Sequence, residues 1–165
     1  MAKPDYTLIF IVEDDFSYAK VIRHTLEKKN YLNIKVFYSG EDCLQNMHLK
    51  PDIVLLDYRL GDNKKDGMDV LRLIKKNYPF TEVVFLTVID NLEIATQTIK
   101  EGAYDYVVKS EAAMERTKNI LRRIIFEKHI QNENRLLRRS QRIIIGLILF
   151  LILAIVFLIF LQIKY

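Results

Sequence analysis

Apolar residues in this chain gather into short runs, and most of these runs end on a reactive side chain. Leu8-Ile9-Phe10-Ile11-Val12 leads into Glu13-Asp14-Asp15, and Ile53-Val54-Leu55-Leu56 into Asp57. Val83-Val84-Phe85-Leu86 ends on Thr87, and Tyr106-Val107-Val108 on Lys109. Unbroken apolar runs of this length are the pattern of strands buried on both faces, as in parallel sheets covered by helices. Ile34-Lys35-Val36-Phe37 instead alternates and reads as an edge strand. The pattern predicts strands near 7–12, 34–38, 52–57, 82–87 and 105–108, separated by helices near 16–29, 41–48, 67–77, 91–101 and 111–139. Asn30, Gly40, Pro51, Gly61, Pro79 and Gly102 fall between these elements, where chain breakers belong. Strict alternation of strand and helix argues for an α/β fold, a doubly wound five-stranded parallel sheet covered on both faces. The carboxyl ends of such strands share one rim, which is where these folds place their chemistry. Acids, a hydroxyl and an amine are therefore expected together there.

One apolar stretch is of another kind. No residue from 143 to 163 is charged, and 21 helical residues reach about 31 Å, enough for a hydrocarbon core of about 30 Å. This segment is expected to cross a membrane as a helix, since a buried soluble helix of that length would need a second core that nothing else supplies. Only Lys164 and Tyr165 follow it, while Arg135, Arg138, Arg139 and Arg142 precede it, which keeps the bulk of the chain on the cytoplasmic side. The expected organisation is a domain over 1–130, a basic juxtamembrane stalk over 131–142 and a single transmembrane helix over 143–163, giving a C-terminally anchored, single-pass protein of the cell membrane. Ile130, Leu137 and Ile144 recur every seven residues, but Asn134 and Gln141 occupy the alternate positions, so a polar stalk is favoured over a coiled coil. A homodimer stays open.

Charge supports this division. Residues 1–110 hold 15 of the 25 Lys and Arg and 17 of the 21 Asp and Glu, leaving 10 against 4 for the rest. A basic tail just before an apolar segment suits a membrane surface rather than a nucleic acid, and no nucleic-acid partner is expected. The lone Cys43 excludes an internal disulfide and reads as a packed small apolar residue. His24, His48 and His129 lack ligand spacing, so no zinc site is predicted.

Glu13-Asp14, Asp57, Thr87 and Lys109, in that order and with spacings of 43, 30 and 22 residues from Asp14 onward, resemble the receiver domain of two-component response regulators. Gly102-Ala103-Tyr104-Asp105-Tyr106 is similar to the segment before that family's last strand. The resemblance spans roughly residues 5–130 and implies a flavodoxin-like receiver fold with Asp57 as phosphoacceptor. It implies Mg²⁺ held by Asp14, Asp57 and the backbone carbonyl of Arg59, with Glu13 acting through a water, while Asp15 points elsewhere. It also implies Lys109 and Thr87 as contacts for the phosphoryl oxygens, and Thr87 with Tyr106 as a switch pair.

The implied function is that of a membrane-tethered, stand-alone receiver, not an enzyme in its own right. It would accept a phosphoryl group from a histidine kinase or phosphotransfer protein and signal by a change of surface or pairing. The alternative is a membrane scaffold that uses the same fold without phosphorylation. A phosphatase of the haloacid dehalogenase type would want an aspartate where Arg59 stands, and a dinucleotide carrier would want a glycine-rich turn after the first strand. Three departures from the family pattern stand out: a loop Leu60–Gly67 without the usual proline, Ser110 after Lys109, and Val88 where a smaller residue is usual. Val88, Ile89 and Arg59 together are expected to orient a hydrolytic water poorly and so to slow loss of the phosphoryl group.

Overall fold

The computed structural model describes residues 7–61 and 66–131, together with 141, 144 and 145. The chain divides into two compact units, Met1–Ile124 and Ile125–Tyr165. In the first, strands β1 (Ile9–Val12), β2 (Ile34–Phe37), β3 (Ile53–Leu56), β4 (Glu82–Thr87) and β5 (Asp105–Val108) alternate with helices α1 (Phe16–Glu27), α2 (Gly40–Asn46), α3 (Gly67–Asn77) and α4 (Leu92–Lys100). Helical residues 113–124 complete it as α5. The strands form one parallel sheet in the order β2-β1-β3-β4-β5. Every residue of β1 and β3 is buried, whereas no residue of β2 is, as its alternating sequence and edge position require.

Each helix start has a chemical cause. Asp15, Ser39, Asp66 and Asn91 stand in extended backbone just ahead of α1, α2, α3 and α4, and their side-chain oxygens accept hydrogen bonds from the first free backbone N–H groups. One face of the sheet, through Phe10, Val54, Leu56, Val83 and Phe85, packs against Cys43 of α2, Met47 just after it, and Val70, Leu71 and Ile74 of α3. The alternate strand residues leave the opposite face to α1 and α5, whose Ile22, Leu26, Leu121 and Ile124 are buried. Burial pushes the Cys43 thiol up to about 12, as suits a packing residue.

Helix α1 ends two residues earlier than the sequence pattern predicts, because Asn30 turns into the left-handed region at φ 67°. The fifth helix begins at 113 rather than 111. In the second unit the described residues 125–131, 141, 144 and 145 are helical. Among the described residues no helix is long and apolar enough to cross a membrane. The stretch 143–163, apart from Ile144 and Ile145, lies outside the described residues, as do most of the expected stalk and positions 62–65 of the loop after β3.

Gly67 opens α3 with its N–H on the Tyr58 carbonyl at 2.8 Å. A Cβ at this position would lie 2.5 Å from the Asp57 carbonyl oxygen and 2.9 Å from Cε1 of Phe85. Backbone cannot retreat there without moving the end of β3. Gly67→Ala is expected to destabilise the fold by about 2–3 kcal/mol, read as a lower urea midpoint; an unchanged midpoint contradicts this packing.

Candidate functional site

The sheet register carries one residue past the strand ends and fixes the site's backbone. Glu13 N–H donates to the Phe37 carbonyl at 3.0 Å, Asp57 N–H to Val12 at 2.9 Å, and Lys109 N–H to Thr87 at 2.7 Å. Glu13, Asp57, Thr87 and Lys109 are thereby set side by side on one rim. The ammonium of Lys109 lies 2.6 Å from Oδ2 of Asp57 and 2.7 Å from Oε2 of Glu13. Both carboxylates are buried, whereas Asp14 is exposed. The other Asp57 oxygen accepts the Tyr58 N–H at 2.6 Å and lies 3.4 Å from the Arg59 nitrogen, a much weaker contact.

This cluster is under electrostatic load. Burial, aided by the charge of Asp57, outweighs the pull of Lys109 and holds the Glu13 carboxyl up at about 7. For Lys109 burial opposes the charge, but its close contacts with the Asp57 and Glu13 carboxylates outweigh it and the ammonium is held above its ordinary range. Oε2 of Glu13 is at ion-pair distance from Lys109 yet receives no well-aligned hydrogen bond. Glu13, Asp14 and Asp57 bring oxygens within 4.8 Å of one another, and Lys109 pairs with the first and last of them. An under-satisfied, oxygen-only group with excess negative charge fits a hard divalent cation such as Mg²⁺.

Asp15 stays apart from this group: its Oδ1 accepts the Ser17 and Tyr18 N–H groups at 2.8 and 3.1 Å. Thr87 is fully buried, and its hydroxyl oxygen is 3.4 Å from the Ile89 nitrogen. Tyr106 is already turned inward, its ring 6.0 Å from that of Phe85 and its hydroxyl donating to the Ile89 carbonyl at 2.8 Å. Burial pushes its phenol up to about 12. Val88 and Arg59 are exposed and Ile89 half-buried.

The sequence reading missed Tyr18 altogether, and it took Ile89 only for its side chain beside the attack path. The Tyr18 ring lies under Lys109, 4.5 Å from ammonium to centroid. Ile89 joins Thr87 to Tyr106 through its backbone. Tyr18 looked like one more helical residue, and a backbone contact leaves no mark in side-chain pattern.

The response regulator receiver domain family model matches residues 9–121, most of the chain. The chain belongs to this family. Its receiver is 33% identical over 100 residues to the luminescence regulatory protein LuxO of Vibrio campbellii, a match covering 60% of this chain and 21% of that protein. It is 33% identical over 102 residues to the transcriptional regulatory protein ZraR of Salmonella typhimurium, covering 61% and 22%. The chain therefore spans about a fifth of the length of these relatives. Among solved structures, the receiver of a LuxO repressor from Vibrio parahaemolyticus superposes with a TM-score of 0.66 at 27% identity, covering 76% of this chain and 98% of that one. The BeF3-activated DrrB receiver gives 0.61 at 30% identity, covering 72% and 99%.

A cation at this rim competes with protons for Glu13. Mg²⁺ is expected to raise the melting temperature more at about pH 8 than at about pH 6, because the Glu13 carboxyl must lose its proton near 7. The metal-free receiver carries the opposite sign: the folded-state pKa of Glu13 lies above its ordinary value, so its contribution falls as pH rises through about 7. Asp14→Ala is expected to remove the Mg²⁺-dependent rise. Equal rises at both pH values, or in Asp14→Ala, contradict the assignment.

Proposed function

We propose that this receiver is a phosphoacceptor switch of a two-component pathway, charged on Asp57 by a histidine kinase or phosphotransfer protein. The observation that carries this reading is the Lys109 ammonium shared between Asp57 and Glu13 at 2.6 and 2.7 Å beside the exposed acid Asp14. An amine already resting on the reacting carboxylate needs little motion to meet the oxygens of an incoming phosphoryl group.

Asp57 attacks the phosphorus of a phosphohistidine in line with the departing nitrogen. The new P–O bond gives an acyl phosphate as the P–N bond breaks, its electron pair returning to the imidazole. Asp14, Asp57 and the Arg59 carbonyl are the groups that would hold Mg²⁺, with Glu13 behind a water, and the bound ion would supply positive charge against the phosphoryl oxygens. Lys109 moves from Asp57 to a phosphoryl oxygen while keeping Glu13. Thr87 gives up its 3.4 Å contact with Ile89 and donates its hydroxyl to another phosphoryl oxygen. Since the Ile89 carbonyl is Tyr106's partner, the segment between β4 and α4 shifts and the surface there changes. Nothing in this sequence of steps turns over a substrate repeatedly. The chain is a switch that assists its own modification, not an enzyme.

The uncharged stretch 143–163, preceded by four arginines from Arg135 to Arg142, supports a tether to the cell membrane with the receiver in the cytoplasm. Signalling by pairing of tethered copies agrees with this reading. LuxO and ZraR are named as regulators of luminescence and of transcription; for the present chain the proposed output is the altered receiver surface.

The full chain in detergent, given Mg²⁺ and a small phosphodonor, is expected to gain one phosphoryl adduct by intact mass, absent in Asp57→Asn. An adduct that persists in Asp57→Asn, or none in the wild type, rules out Asp57 as acceptor. The full chain is also expected to sediment with membranes and to leave them only in detergent; recovery in the aqueous fraction contradicts the tether.

A further inference from the structure

The ring of Tyr18 lies against Lys109 and is used by neither the metal site nor the phosphoacceptor. It faces the ammonium at 4.5 Å, and Lys109 is largely shielded from solvent. Its backbone is fixed by Asp15, whose Oδ1 accepts the Tyr18 N–H at 3.1 Å. The acid that turns away from the cluster therefore seats the first turn of α1, and with it this ring. Burial raises the Tyr18 phenol, so the ring faces the cation as a neutral phenol.

We infer that Tyr18 is a positioning residue for phosphoryl transfer, holding the Lys109 ammonium by cation–π attraction while that ammonium passes from the Asp57 carboxylate to a phosphoryl oxygen. This rests on the phosphoacceptor reading above. The physical need comes from the partner exchange itself. In the resting site Lys109 is held by two carboxylates, and one of them must release it as Asp57 becomes an acyl phosphate. A carboxylate in Tyr18's place would compete with the phosphoryl oxygens for the same N–H groups and add charge to a cluster that already has excess. An aromatic face attracts the cation without demanding a particular N–H direction, so the ammonium pivots and stays at the rim. An aliphatic side chain would fill the same volume and give no such hold.

The test uses the full chain in detergent with Mg²⁺ and a small phosphodonor, comparing wild type, Tyr18→Phe and Tyr18→Leu. Tyr18→Leu is expected to slow phosphoryl uptake about ten-fold while Tyr18→Phe stays within about two-fold of wild type, with the same Mg²⁺ affinity in all three. A second readout needs neither metal nor donor. The Lys109 Cε protons, assigned by their loss in Lys109→Arg, are expected to be shifted upfield by the ring in wild type and Tyr18→Phe, and unshifted in Tyr18→Leu. If Tyr18→Leu proves unstable, phenylalanines of increasing fluorination at position 18 keep the shape and drain the ring's negative face. Uptake is then expected to fall in step with fluorination.

A Tyr18→Leu protein as fast as wild type, equal slowing in Tyr18→Phe and Tyr18→Leu, or a flat fluorination series overturns the positioning role and leaves the phosphoacceptor reading standing. A wild type that shows the ring-shifted Lys109 signal but takes up no phosphoryl group overturns both.

Discussion

One largely shielded ammonium, that of Lys109, stabilises the rim on which the rest of the site depends. It sits between Asp57 and Glu13, which would otherwise be two buried carboxylates repelling each other at the ends of adjacent strands. Breaking a buried pair by removing one partner costs about 3–5 kcal/mol where the other stays charged. Here the loss has a partial outlet, because the Glu13 carboxyl, already pushed up to about 7, can take a proton. The arrangement tolerates exchange of Lys109's partners better than a rigid ion pair would. That tolerance is what a site needs if it must stand with a bare aspartate, a metal or a phosphoryl group.

Sheet geometry makes the exchange local and its consequence directional. The ladder contacts past the strand ends hold Glu13, Asp57 and Lys109 by their backbones, so their side chains move while the rim does not. Thr87 and Tyr106 are different. Both meet at Ile89, the first through a 3.4 Å contact and the second through a 2.8 Å hydrogen bond. The weak link lies on the site side and the strong one on the surface side. Pulling on Thr87 therefore releases Ile89 from the site before it releases Tyr106.

Much of this was legible in the chain because the strands are buried on both faces. Apolar runs with no polar interruption announce a parallel sheet, and the residue just past each run falls on the rim; Glu13, Asp57 and Lys109 were found in this way. Asp15 was set apart from its neighbours only by the resemblance to the receiver family; the structure supplies the physical reason, since its side chain caps α1. Tyr18 was not legible, since its partner Lys109 is 91 positions away and helical spacing gives it no distinction. Ile89 acts through its backbone nitrogen and carbonyl, which any residue there would supply. The early end of α1 depends on the left-handed turn at Asn30, which the sequence marked only as a breaker.

The proposed switch turns on Lys109 exchanging Asp57 for a phosphoryl oxygen. A crystal structure of the full chain with Mg²⁺ and beryllofluoride on Asp57 measures this directly. The Lys109 ammonium is expected to move from Oδ2 of Asp57 onto a fluoride while remaining within ion-pair reach of Glu13 and over the Tyr18 ring. A Lys109 still bound to the Asp57 carboxylate, or one turned out to solvent, would contradict it.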